Sequence, residues 1–260
     1  MINSLWIAKT GMTAQQTQLD VISHNLANVS TTGYKRNNAV FEDLIYQNLR
    51  QVGSQTTEQN QLPTGLHLGL GVRTVATSRT FTQGSLQQSN NSLDVAINGN
   101  GFFEVNLPDG TIGYTRDGSF QLDSQGRMVT SSGLPVANGI TVPANATSVS
   151  VSADGIVTAL LPGNTAPQQI GTLAVSSFIN PAGLEPVGQN MFKESAASGQ
   201  PQQGTPGTNG LGMLKQGFLE TSNVNVVEEL VSMIQTQRAY EMNSKAIQTS
   251  DQMLAKLAQL

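Results

Sequence analysis

The chain has 260 residues, 12% of them charged, a net charge of −4 and no cysteine. It is long enough to bury a substantial core, and it is poor in charge for its length. That leaves little repulsion between copies and no basic surface for nucleic acid, while the missing thiols exclude disulfides and thiolate chemistry.

In chain order, Leu5, Met12, Leu19 and Leu26 recur every seven residues, with Ala8, Ile22 and Val29 beside them. Ile7, Ala14 and Val21 form a second heptad-spaced set. These predict an amphipathic helix capped by Asn3 or Ser4 and ended by Thr31-Thr32-Gly33. The N-terminus lacks a basic segment followed by an apolar one, so no cleaved leader is expected. No run approaches the ~18 apolar residues of a membrane span, which by default reads as cytosolic.

Val40, Phe41, Leu44 and Ile45 continue a helical spacing over 34–49. Residues 50–71 then turn to Gln, Thr and Gly around Pro63 and read as an extended or looped segment. The glycines from Gly65 to Gly71 do not follow the strand–GxGxxG–helix order, so no dinucleotide site is expected. Residues 72–81 alternate like a strand. From 92 to 187, alternation at Leu93, Val95 and Ile97 and at Phe103, Val105 and Leu107 predicts antiparallel β-structure. Frequent turns at Asn98-Gly99, Asp109-Gly110, Asp117-Gly118, Gln125-Gly126 and Asp154-Gly155 support it. Residues 183–212 are rich in Pro, Gly and Gln and read as a loose surface connection.

The last stretch, 224–260, is a second long helix. Asn225 and Glu228 resemble a capping box, and no Gly or Pro follows. Val226, Met233, Tyr240, Ile247 and Leu254 recur every seven residues, with Leu230 reinforcing the start. The half-heptad positions Gln237, Ser244 and Asp251 are polar, so the pattern is not a clean two-stranded zipper. Val231, Met242, Ala246 and Met253 lie on roughly the opposite side. Two terminal helices, each apolar on two sides, are expected to pair and to leave a face over. Such a pair is either a polymerisation device or part of a larger core.

Candidate chemistry is sparse. His24 and His67 have no Cys or second His at ligand spacing, so no metal is expected. Asp94, Glu104, Asp109, Asp117 and Asp123 could form a glycosidase carboxylate set, but three of them occupy or adjoin turns where Asp bonds locally. A carboxylate hydrolase and a secreted β-rich adhesive or polysaccharide-binding protein are the alternatives from other classes.

Four motifs decide between these readings. The run from Ser23 through Asn25, Leu26, Ala27 and Asn28 to Thr32, Gly33, Tyr34, Lys35 and Arg36 resembles the N-terminal signature of the bacterial flagellar rod and hook proteins. Residues 226–231 and Gln237-Arg238-Ala239-Tyr240-Glu241-Met242-Asn243 are similar to their C-terminal signature. Residues 93–103 and Tyr114-Thr115-Arg116-Asp117-Gly118-Ser119-Phe120 resemble their central motifs. The length and the 46–73 stretch are most similar to the distal-rod branch of that family.

The resemblance implies an α+β fold. Paired, coiled-coil-like terminal helices at 1–33 and 224–260 would form an assembly core. An extended connecting region would take 34–80 and 211–223, including the rod-type segment 46–73, and an outer antiparallel β-domain would take 81–210. It further implies a non-enzymatic structural subunit without cofactor, metal or small-molecule ligand. Such subunits leave the cell unfolded through the flagellar type III export apparatus, which replaces the cytosolic default. They polymerise with their own copies into a hollow drive shaft across the periplasm. Expected partners are proximal rod and hook subunits and the basal-body P and L rings. The assembly seams would be Leu5, Met12, Leu19, Ile22 and Leu26 on one helix and Val226, Leu230, Met233, Tyr240, Ile247 and Leu254 on the other.

Overall fold

Nothing between Val226 and Leu257 is glycine or proline, and these 32 residues form one uninterrupted helix, α2, about 48 Å long at ~1.5 Å per residue. Asn225 caps it: the Val227 N–H donates to Asn225 Oδ1 at 3.1 Å. The expected capping box is present in a variant form, because Glu228 Oε1 accepts from the Asn225 side chain at 3.3 Å. The computed structural model describes residues 2–53, 55–57, 60–61, 63–163 and 166–257. Ser54, Glu58, Gln59 and Leu62 of the 46–73 segment and the last three residues of the expected C-terminal helix lie outside the described residues.

The first helix, α1, runs from Ile2 to Ala27. Asn3 and Ser4 therefore lie inside its first turn and do not cap it. It ends six residues before Gly33, in a turn where the Thr31 N–H donates to Asn28 O at 3.1 Å and the Thr31 hydroxyl to Asn28 Oδ1. Gly33 has another task. Its φ is +68°, and a Cβ there would stand 2.7 Å from backbone atoms of Arg116 and Asp117, so only glycine fits.

The chain divides into two units. The first combines α1 up to Leu26, Asn37–Ser78, and α2 from Asn225 on. Residues 37–78, expected in an extended connection, group here with the helices. Asn37–Asp43 is a strand paired with Val72–Arg79, so the helical spacing over 34–49 misled. The cause is Asn25. Its side chain accepts from the Asn37 N–H at 2.9 Å and donates to Asn37 O at 2.8 Å, pairing with that residue as a neighbouring strand would. Gln47–Arg50 pairs antiparallel with Leu66–Leu68, and Gln55–Thr57 with Asn60–Gln61. The stretch expected as an extended or looped segment is thus extended, as a hairpin arm. Its base rests on α1, where the Val72 N–H donates to Thr10 Oγ1 at 3.4 Å and a Cβ on Gly71 would meet that oxygen at 2.1 Å.

The second unit takes Ala27–Arg36 and Arg79–Val224. Its largest sheet is antiparallel, in the order Glu185–Gly188, Met191–Lys193, Ile112–Thr115, Phe102–Asn106, Val175–Ser177, Gln202–Gly204. Consecutive side chains of a strand face opposite sides. Phe102 accordingly joins an aromatic cluster with Tyr114, Phe178 and Phe192. Phe103 joins the other core, with Val95, Ile97, Phe120, Val157 and Leu214.

Burial on both sides erases the simple alternation expected at 93–97: Val95, Ala96 and Ile97 are all buried. The 183–212 segment is not a loose connection either, since it supplies three strands of the main sheet. Gly118 marks a close approach, where a Cβ would fall 1.7 Å from Val95 O.

Tyr114, opposite Glu104 and Phe192 in the sheet, is buried, and its phenol is pushed up to about 12 by burial and by the Glu104 and Glu194 charges. A phenol whose folded value lies above its unfolded value near 10 stabilises the fold fully below that pH. The contribution is lost as pH rises from about 10 towards 12. Thermal melts above pH 10 should therefore fall steeply for the natural chain and less steeply for Tyr114→Phe. Parallel slopes for the two would show that other groups set the alkaline limit.

Candidate assembly surface

In most surface helices the apolar side is paired and the polar side is wet. In α2 the order is nearly reversed. The positions turned inward include Glu229, Met233, Thr236, Ala239, Asn243, Ile247, Ser250 and Leu254, alternating polar and apolar. Glu229 is buried, and Asn243 meets α1, its side chain donating to Gln15 Oε1 at 3.1 Å. A Cβ on Gly11 would stand 3.0 Å from the same nitrogen, so glycine allows this close approach. The two helices pair as expected, but over a seam carrying hydrogen-bonding groups, Thr236, Asn243 and Ser250, each one residue before Gln237, Ser244 and Asp251.

The outward side of α2 opens with Val227, Leu230, Val231 and Ile234, spaced i, i+3, i+4 and i+7, all exposed and Val227 by 68%. Met242 and Met253 are also exposed, and Arg238, Glu241 and Lys245 make the later turns charged. Among the expected seam residues, Met233, Ile247 and Leu254 are half-buried, whereas Val226, Leu230 and Tyr240 stand exposed. On α1, Leu5, Met12, Leu19 and Leu26 are half-buried and Ile22 is buried, while Trp6 and Ile7 are exposed. The hairpin arm adds Ile45, Tyr46, Leu49, Val52, Leu66 and Leu68, all exposed, Ile45 by 82%.

The signature residues take two different roles. Asn25 templates the first strand. Asn28 builds the turn after α1, and exposed Ala27 ends the helix. Thr32 donates its hydroxyl to Asp117 Oδ1 at 2.9 Å, and Tyr34 is buried. Gly33 packs on Arg116 and Asp117, and Lys35 is buried against Glu220. The N-terminal and central motifs thus converge at one place in the second unit. On α2, Arg238 is exposed and Ala239 is half-buried. Sequence reasoning missed Glu220, whose only signal is an acidic residue in an otherwise uncharged stretch, and it missed the outward stripe as such.

The five carboxylates do not converge on a reacting centre. Asp94 accepts from Ser89 and Asn91, Glu104 from Ser176 and Gln203, and Asp117 from Thr32 and Ser119. Hydrogen bonds from Thr111 hold Asp109 below the usual carboxylate range, and one from Arg127 does the same for Asp123. A general acid needs the opposite shift. His67 bonds to Asn48 across the hairpin arm. Among the described residues, no three His, Asp or Glu side chains are grouped so as to hold a metal ion. No described helix is long and apolar enough to cross a membrane.

Three family models match in order along the chain. Residues 5–35 match the flagella basal body rod protein, 96–159 the flagellar hook protein FlgE/F/G D1 domain, and 215–260 the flagellar basal body rod FlgEFG protein C-terminal. The chain is 57% identical over 260 residues to the flagellar basal-body rod protein FlgG of Buchnera aphidicola subsp. Acyrthosiphon pisum, covering 100% of both. It is 50% identical over 256 residues to that of Borreliella burgdorferi, covering 98% of this chain and 97% of the relative. Against that of Bacillus subtilis it is 37% identical over 265 residues, covering 100% and 99%. With an outward apolar stripe and full-length likeness to rod subunits, the chain belongs to the family of flagellar basal-body rod proteins, as a structural subunit of the flagellum.

Proposed function

We propose that this chain is the subunit of the distal rod, polymerising with its own copies into a rigid hollow shaft. The shaft carries motor torque to the hook and lets later subunits pass along its bore. The observation that carries the reading is the inverted polarity of α2. A helix that turns Glu229, Thr236, Asn243 and Ser250 inward and Val227, Leu230, Val231 and Ile234 outward has its main apolar surface unsatisfied in the monomer. Neighbouring copies supply that surface with partners, and the exposed Trp6 and Ile7 of α1 offer a matching apolar face.

The seam residues named from the sequence take their places in this scheme as inter-subunit contacts where they are exposed and as helix-pair contacts where they are half-buried. Proximal rod subunits lie below the polymer and hook subunits above it. The P and L rings surround it, and the shaft spans the periplasm to the outer membrane. Its subunits arrive through the export apparatus, and the protein catalyses nothing.

Electron cryomicroscopy of polymer grown from the purified chain tests the arrangement. Straight tubes with α1 and α2 nearest the axis and the β-rich unit outermost are the expected result. Tubes with the β-rich unit lining the bore, or a chain that stays monomeric at every concentration, would overturn it.

A further inference from the structure

Two cations and one carboxylate are buried together where the two chain ends enter the β-rich unit. The side chains of Lys35, Arg116 and Glu220 are 0%, 3% and 1% exposed. Lys35 Nζ lies 2.5 Å from Glu220 Oε1 and also donates to Thr82 O at 2.8 Å. Glu220 Oε1 accepts the Gly84 N–H at 2.8 Å. Arg116 Nη1 lies 3.5 Å from Glu220 Oε2, while its Nη2 donates to Gly99 O at 2.7 Å. The cluster keeps a net charge of +1, two cations against one carboxylate. Burial pushes both Lys35 and Arg116 below their ordinary values, and the Glu220 charge opposes it in each.

Lys35 and Glu220 are 185 residues apart. The strands beside them repeat this long-range pattern. Leu86–Gln88 pairs with Phe218–Glu220, and Val95–Asn98 with Met213–Gln216, and among the described residues neither early strand has another partner. Leu211 and Leu214 complete the core around Val95 and Ile97. Without the segment that carries Glu220, closing the unit would strand two cations away from water with no counter-charge, a prohibitive arrangement.

We propose that Glu220 is the closing latch of the β-rich unit, which completes its fold only when residue 220 has arrived. A chain that emerges N-terminus first, from a ribosome or through a narrow channel, then stays open until most of its length is available. Lys35 and Arg116 hold it open, and Glu220 releases them.

Refolding of the full-length protein from urea, pulse-labelled by amide exchange, tests this. In the natural chain residues 95–98 and 213–216 should gain protection together. Glu220→Gln raises the buried charge to +2 and should lower the folding equilibrium constant by about a hundredfold or more, with at least a tenfold part of it, roughly, in the refolding rate. Lys35→Met and Arg116→Met combined with Glu220→Gln leave no charge in the cluster, and should refold within about threefold of the natural rate even if the single variant does not fold. Early protection of 95–98, natural refolding of Glu220→Gln, or a triple variant no faster than the single one would each overturn the latch.

Discussion

Leu230→Asp is expected to leave the monomer folded and to abolish rod assembly. Leu230 is 42% exposed on the outward side of α2, so the substitution removes little that the isolated subunit uses. Aspartate costs about 0.5 kcal/mol in helix propensity, partly offset by its place near the positive end of the helix. The change in monomer stability should therefore stay within ~1 kcal/mol. In the proposed polymer the same position would lie between apolar neighbours, where an unpaired carboxylate costs several kcal/mol at every contact. The loss recurs in each subunit, so a growing tube meets it at every addition. Thermal melts, sedimentation and motility separate the two effects. Ile247→Asp is the contrast, because Ile247 is half-buried on the inward side of α2 and its change should weaken the monomer as well. Normal motility with Leu230→Asp would remove the outward stripe from the assembly mechanism.

That contrast also shows where sequence reasoning stopped. The existence and length of α2 were legible, since its cap, its acidic first turn and the absence of breakers are all local signals. Its orientation was not. The heptad set named as the assembly seam divides in the folded chain, with Val226, Leu230 and Tyr240 exposed and Met233, Ile247 and Leu254 half-buried. A spacing of seven groups side chains along a helix but does not say which of them the chain's own fold covers. The strand Asn37–Asp43 failed for another reason. Val40, Phe41, Leu44 and Ile45 have a spacing that suits a helix, but the Asn25 side chain, twelve residues earlier, holds the backbone extended. The Lys35–Glu220 pair has no local signature at all, because its halves are brought together only by the finished sheet. What local chemistry determines was readable, and what the assembled topology determines was not.

Replacing residues 51–65 by Asn-Gly is expected to give rods that assemble but bend. In the hairpin arm Arg50 stands opposite Leu66, so a two-residue turn of this kind closes the shortened strands without disturbing their register. The base of the arm, where Val72 bonds to Thr10 of α1, is untouched, and monomer stability should change by less than ~1 kcal/mol. What disappears is the outer part of an arm whose described side chains are exposed and include Val52 at its edge. The polar composition of 51–65, four Gln and three Thr among fifteen residues, offers hydrogen-bonding groups to adjacent subunits. Contacts worth about 0.5–1.5 kcal/mol each, repeated along every row of subunits, would resist the sliding between rows that bending requires. In the proposed polymer the terminal helices would still drive assembly of the shortened chain, so length and yield of polymer should be retained while its persistence length falls. Electron micrographs of isolated basal bodies measure this directly as curvature. Straight rods of natural stiffness from the shortened chain would make the arm a passive spacer and move the source of rigidity to the β-rich unit.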